Sequence, residues 1–169
     1  MRTIMAITEA EKEIEKQWSV DPDTLYRSIG HFVFNFSRFE DVVRGRYVAH
    51  LEFNDTQRQF VMPAMDFAFL CGSCKLLFEK KYSGKKLKTL TAILNEGLKI
   101  NTTARIPLAH GSWYLNRPAG LSVHSSRNNL ENRNFFAKPG ELDKLAERLL
   151  VLRHQLWDIA QLKVEKKSK

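Results

Sequence analysis

The feature that most constrains this chain is an apolar series, Leu25, Ile29, Phe32, Val33, Phe36, Phe39, Val43, Tyr47 and Leu51. Steps of three and four residues gather these side chains on one side of an α-helix, whereas a strand repeats every second residue. Asp21 and Pro22 precede the series. An aspartate can accept from the free N–H groups at a helix start, and a proline in the first turn forfeits an N–H that would be unpaired anyway. The spacing therefore predicts a long helix from Pro22 to Leu51.

The segment EFNDTQ breaks the periodicity, and after Pro63 a second stripe follows at Phe67, Leu70, Cys71, Cys74, Leu77 and Phe78. A third predicted helix carries Leu87, Leu90, Leu94 and Leu98 and runs into ARIPLAHGSW, which ends at Trp113. The pattern then changes. In GSWYLNRPAGLSVHSS, apolar and aromatic residues flank Pro118 and Gly120, which suit a turn and predict a small β-hairpin. A loop rich in Asn and Arg is expected over Arg127, Asn128, Asn129, Asn132, Arg133 and Asn134. Beyond Pro139 and Gly140, the residues Leu142, Leu145, Leu149, Leu152, Leu156 and Ile159 define a final long helix with a narrow apolar seam, the kind two packed helices share.

Four amphipathic helices with short connections imply a mainly α fold, an antiparallel four-helix bundle with a β-hairpin inserted before the last helix. Residues 1–20 read as an N-terminal extension with a short helix started by the Thr8/Glu11 capping box, 21–164 as the bundle, and 165–169 as a basic, disordered tail. The 169 residues are enough for one domain with its own core. A net charge of +8 favours a polyanionic partner. No signal-like apolar run opens the chain, and no window reaches the roughly eighteen apolar residues of a membrane span. With two cysteines and no sign of secretion, the expected address is the cytoplasm, with no membrane association.

Most chemical motifs fail on inspection. Cys71 and Cys74 form a Cys-x-x-Cys, but redox use needs a thiolate at a helix N-terminus directly after a strand, and these two fall on the apolar stripe of a helix already under way. They read as core, and no second ligand pair completes a zinc site. Gly84-Lys85 lacks the rest of a P-loop, and neither a Gly-x-Ser-x-Gly elbow nor a His-Glu-x-x-His occurs. His31 has no evident ligand partner and reads as a core-edge or surface histidine. Lys80, Lys81, Lys85, Lys86 and Lys88 surround the Ser83-Gly84 turn as a solvated helix end or, alternatively, a phosphate-contacting rim. No metal or other cofactor is implied.

One segment carries a family resemblance. ARIPLAHGSWY, with Arg105 and His110, resembles the signature of the HEPN superfamily, in which an arginine, a short spacer and a histidine close a helix of a small bundle. IGHFVFNFSRFEDVVRGRYVAHL, with Glu40 where such proteins often carry an acidic residue, adds to the likeness. So do the hairpin, the SSRNNL loop and the helix after KPGEL, and the similarity runs roughly from Asp21 to Val164. The resemblance implies a cytoplasmic homodimer. Many members are metal-independent endoribonucleases of toxin–antitoxin or phage-defence systems, with an antitoxin or a nucleotidyltransferase as partner, and others bind RNA or nucleotides without cleaving.

On that resemblance Arg105 and His110 are the catalytic candidates and Glu40 a supporting one. Trp113 and Tyr114 are candidates to stack on a base, the alternative being strand packing; Arg127, Lys85 and Lys86 are candidates for RNA contact. In active members the residue after the arginine is frequently Asn, Asp or His, and this chain has Ile106.

The same spacing also catches Arg44 with His50, Arg117 with His124, and Arg148 with His154. The first and last of these pairs fall within long helices and read as surface residues. What distinguishes Arg105 and His110 is their place at a helix end, just before the hairpin. Five residues of ideal helix turn through about 500°, which separates the two side chains. Pro107 should kink or stop the helix near residues 104–106, and a distorted tip could turn both groups into one cleft. The plain alternative is that Pro107 ends the helix and His110-Gly111 caps it.

Overall fold

The computed structural model describes residues 21–115, 121–126, 129–136 and 138–161. The expected N-terminal helix, Arg117, Arg127, the Pro118–Gly120 turn and the basic tail lie outside them. The described chain is mainly helical with one small antiparallel sheet.

Helix α1 spans Pro22–Leu51 as expected, with the Asp21 carboxylate accepting from the Thr24 N–H at 2.9 Å. Its inner face buries Leu25, Phe32, Phe36, Phe39 and Val43, while Val33 of the apolar series is exposed. The segment that breaks the periodicity is not all loop: a short helix, α2 (Asp55–Val61), begins at a capping box in which Asn54 and Gln57 each bond the other's backbone N–H. It buries none of its residues, so no apolar stripe marked it. Helix α3 (Phe67–Lys81) starts on an Asp66 cap and buries Phe67, Leu70, Cys71, Cys74 and Phe78. Helix α4 (Gly84–Ile100) buries Leu90, Ile93, Leu94, Gly97 and Ile100.

Past Ile100 the chain makes a π-helical turn (Asn101–Arg105), then the short helix α5 (Ile106–His110). Strands β1 (Ser112–Tyr114), β2 (Leu121–Ser126) and β3 (Asn129–Phe135) form a sheet in that order, with β1 paired antiparallel to β2 and β2 to β3. The hairpin of β1 and β2 lies where expected, but the described part of the Asn- and Arg-rich segment, from Asn129, is a strand rather than a loop, while Arg127 and Asn128 lie outside the described residues. Its polar composition weighs against a strand, yet the free edge of β2 gives its backbone N–H and C=O groups partners that composition does not register. Helix α6 (Glu141–Gln161) closes the structure and buries Leu142, Ala146, Leu149, Leu152 and Leu156.

The helices are not arranged as the short connections suggested. Ser28 meets Asp143 at one end of the α1–α6 seam and Arg46 meets Trp157 at the other, so these two helices run parallel. Phe36 touches Phe67, Cys74 approaches Val43, and His50 meets Tyr82, so α1 and α3 run parallel as well. The expectation of an antiparallel bundle is corrected on this point: residues 52–66 carry the chain back along α1 before α3 begins, and α4, joined to α3 by a tight turn, opposes it. One glycine is required by packing. A Cβ on Gly97 would lie 2.5 Å from the Phe39 ring, so only glycine lets α4 approach α1 this closely. No helix among the described residues is long and apolar enough to cross a membrane.

Candidate functional site

Arg105 and His110 stand at the tip that follows α4, and the local sequence explains its shape. Pro107 has no N–H to give, and its ring crowds the turn before it. The chain responds by widening that turn, so that the Ile106 N–H bonds to the Asn101 carbonyl, one residue further back than in an α-helix. Thr102 and Thr103 turn their hydroxyls onto the carbonyls of Leu98 and Lys99 at 2.6 and 2.8 Å, a habit that bends helices. Asn101 is buried, and its Oδ1 has no partner among the described residues.

The tip is anchored on its inner side. Pro107 is buried, and its carbonyl accepts from the Gly111 N–H at 2.8 Å and from the Ser122 hydroxyl of β2 at 2.9 Å. Gly111 caps α5, but in an extended conformation rather than a left-handed one. What requires glycine there is space, since a Cβ would lie 2.1 Å from Ser122 Oγ and 2.4 Å from the Pro107 oxygen.

Arg105 and His110 are both exposed. The Arg105 guanidinium lies 5.8 Å from the centre of the Phe36 ring of α1. The backbone from Ile106 to His110 is α-helical, so the two side chains diverge by about 140° around the axis. The widened turn ends at Arg105 and leaves the helix from Ile106 to His110 regular, so it does not bring the two side chains together. Ile106 between them is half-buried.

The other candidates disperse. Glu40 is held by Arg44 at 2.5 Å, and the same guanidinium donates to the carbonyls of Met62 and Met65. Arg44 is thus half-buried and structural, tying the return segment to α1, which corrects its reading as a surface residue. His50 is also half-buried: its Nδ1 donates to the Arg46 carbonyl at 2.8 Å, its Nε2 accepts from the Tyr82 hydroxyl at 3.0 Å, and burial holds its pKa below the ordinary histidine value. Lys86 lies over the Tyr82 ring, 4.4 Å from its centre. Lys85 and Lys86 open α4, whereas Arg105 follows its far end, a separation of about 30 Å along the helix. Trp113 packs: its ring stacks on Phe136 with 5.8 Å between centroids, and its indole N–H donates to the Leu108 carbonyl at 3.3 Å. Tyr114 remains exposed.

Arg148 is exposed and forks onto Glu96, both bonds 2.6 Å. His31 is exposed and pairs with Asp143 at 3.1 Å. Cys71 and Cys74 are fully buried in the core as expected, and burial pushes each thiol up to about 12. Both should therefore resist thiol reagents at pH 7 until the chain is unfolded; rapid labelling of the native protein would contradict this placement.

A second assembly escaped the sequence reading. Between the parallel helices α1 and α6 lies an open groove of about 770 Å³. Arg38, Asp41, Gly45 and Arg46 line one wall, and Arg153, His154, Trp157 and Asp158 the other. The Arg46 guanidinium lies 5.0 Å from the centre of the Trp157 ring and donates to the Trp157 carbonyl at 3.1 Å. Trp157 is half-exposed. These residues lie more than a hundred positions apart in the chain, and the spacing that flagged Arg148 with His154 pointed to neither wall as a groove.

Comparison with protein-family models, with curated proteins and with solved structures finds no match to this chain.

Proposed function

We propose that this chain is a HEPN-like, metal-independent endoribonuclease, acting as a toxin or phage-defence component, with Arg105 and His110 as its catalytic groups. The observation that carries the reading is the helix tip itself. A π-helical turn and a proline expose one guanidinium and one imidazole next to a strand that pins the tip from behind. Distorted turns of this kind occur disproportionately where function requires them.

These residue types suit cleavage through the ribose 2′-OH. The 2′ oxygen attacks the adjacent phosphorus, the bond from phosphorus to the 5′ oxygen breaks, and the products are a 2′,3′-cyclic phosphate and a free 5′-OH. A histidine can accept the 2′ proton or deliver one to the departing oxygen. An arginine fork can hold the phosphate and stabilise charge on its oxygens. One histidine cannot do both jobs at once, and groups about 140° apart on one helix cannot grip one phosphate. The proposal therefore includes a homodimer in which the Arg105 of one copy faces the His110 of the other.

A second reading is a non-catalytic module of the same shape that binds RNA, a nucleotide or a protein partner such as a nucleotidyltransferase or an antitoxin. The half-buried Ile106, where active relatives carry a polar group, favours it. The test is incubation of the purified chain with a panel of single-stranded RNAs in EDTA. Cleavage to cyclic-phosphate ends, lost in His110→Ala with an unchanged circular-dichroism spectrum, supports the nuclease. A folded dimer that binds RNA in a salt-sensitive way without cutting it overturns catalysis in favour of the second reading.

A further inference from the structure

The groove between α1 and α6 has the chemistry of a ligand site and takes no part in the proposed cleavage. Trp157 supplies a platform. Arg46 occupies one side of the ring and is itself fixed by the Trp157 carbonyl, so the indole is held in place, and it remains half-exposed to the groove. A planar aromatic group laid on such a ring gains from stacking, and the guanidinium beneath adds a cation–π contribution.

Positive charge is available beside it. Two arginines elsewhere are matched with carboxylates, Arg44 with Glu40 and Arg148 with Glu96. In the groove, Arg38 has no ion pair among the described residues although Asp41 stands three positions away on the same helix. Among the described residues Arg153 donates only to its neighbour His154, at 3.1 Å. A guanidinium on each wall that has no carboxylate partner among the described residues can grip one phosphate from both sides, with the planar fork that phosphate oxygens fit. Asp41 and Asp158, also without ion pairs among the described residues, are acceptors for the amino group of a base.

Gly45 fits the same picture. It lies in the middle of α1, where glycine is a poor helix former, and a Cβ there would meet nothing within 4 Å. Packing within the chain does not call for it. Its effect is to keep the α1 wall low at the point where the groove is lined.

We infer that the α1–α6 groove binds a nucleotide unit, its base stacked on Trp157 and its phosphate held between Arg38 and Arg153. The unit can come from a free nucleotide or from one residue of a single-stranded RNA. The inference does not depend on the cleavage reading, because neither Arg105 nor His110 lines the groove.

The test is calorimetric titration of the full chain with GMP and AMP, and separately with a short 2′-O-methyl oligoribonucleotide, which resists attack by the 2′ oxygen and so removes cleavage from the measurement. Binding of a mononucleotide identifies the free ligand as sufficient; binding of the oligomer alone identifies an RNA strand. Either supports the site if Trp157→Ala and Gly45→Phe each weaken binding by roughly tenfold or more. Gly45→Phe projects into open space and should leave the melting curve intact, which keeps the test valid should Trp157→Ala unfold the helix pair. Two results overturn the inference: no binding of any of these probes, or binding that both variants leave unchanged. Loss of a dimer in Gly45→Phe with no nucleotide binding in the parent chain also overturns it and assigns the groove to a second copy of the protein.

Discussion

The helix tip and the α1–α6 groove gather their polar groups in opposite ways. At the tip, Arg105 and His110 are close in sequence and are driven apart by the helix that carries them. In the groove, Arg38 and Arg153 are far apart in sequence and are brought to one space by two parallel helices. A helix spreads near neighbours around its axis, while packing sets distant residues face to face. The tip is also tightly supported on its inner side, with Pro107 and Ser122 hydrogen-bonded, whereas the groove is open. A motif found by spacing therefore needs a partner surface to become a site, and a site assembled by packing need show no motif.

The largest effect that bears on this contrast is catalytic. His110→Ala should reduce RNA cleavage by about a hundredfold or more, the usual share of a general acid or base, with the fold retained. Residual cleavage near the parent level would remove the tip from the chemistry and shift attention to the groove.

Next comes a pair of glycine substitutions read in urea melts. Gly111→Ala forces a Cβ against Ser122 and the Pro107 carbonyl and should cost about 1–3 kcal/mol, the range for overpacked positions. Gly45→Ala meets nothing and should stabilise by about 0.5–1 kcal/mol through helix propensity. If both change stability alike, the tip is not the tight region and the groove is not the open one.

The smallest effect lies at the other end of the α1–α6 seam. Hydrogen bonds from Ser28 and His31 hold the Asp143 carboxyl below its ordinary value. A depressed carboxylate pKa contributes stability that is present above the unfolded-state value and is lost as the pH falls through the folded-state value. Asp143→Asn should thus lower Tm slightly at pH 7, and the difference should vanish in acid. The pair is well exposed, so solvent screening keeps the contribution below about 1 kcal/mol. A large difference that persists at low pH would mean the seam is held by something other than this charge.

Much of the fold was legible because burial of one helix face leaves a period in the sequence. The series from Leu25, the stripe from Phe67 and the seam from Leu142 each became a helix with most of those residues inward, Val33 and Leu51 being exposed. The short helix α2 was not legible from burial, since it buries nothing, though its Asn54/Gln57 box was there to be read. The third strand was hidden by its polar composition.

Sequence alone determined the long helices, the cap at Asp21, the buried cysteines and the distortion ahead of Pro107, because each follows from bonds and contacts within a few turns of chain. Tertiary structure decided the parallel course of α1 with α3 and α6, the engagement of Glu40 and Arg44, and the existence of the groove. Those depend on which faces meet across the molecule, and the free energy that selects them comes from burying surfaces whose residues are unrelated in the linear order.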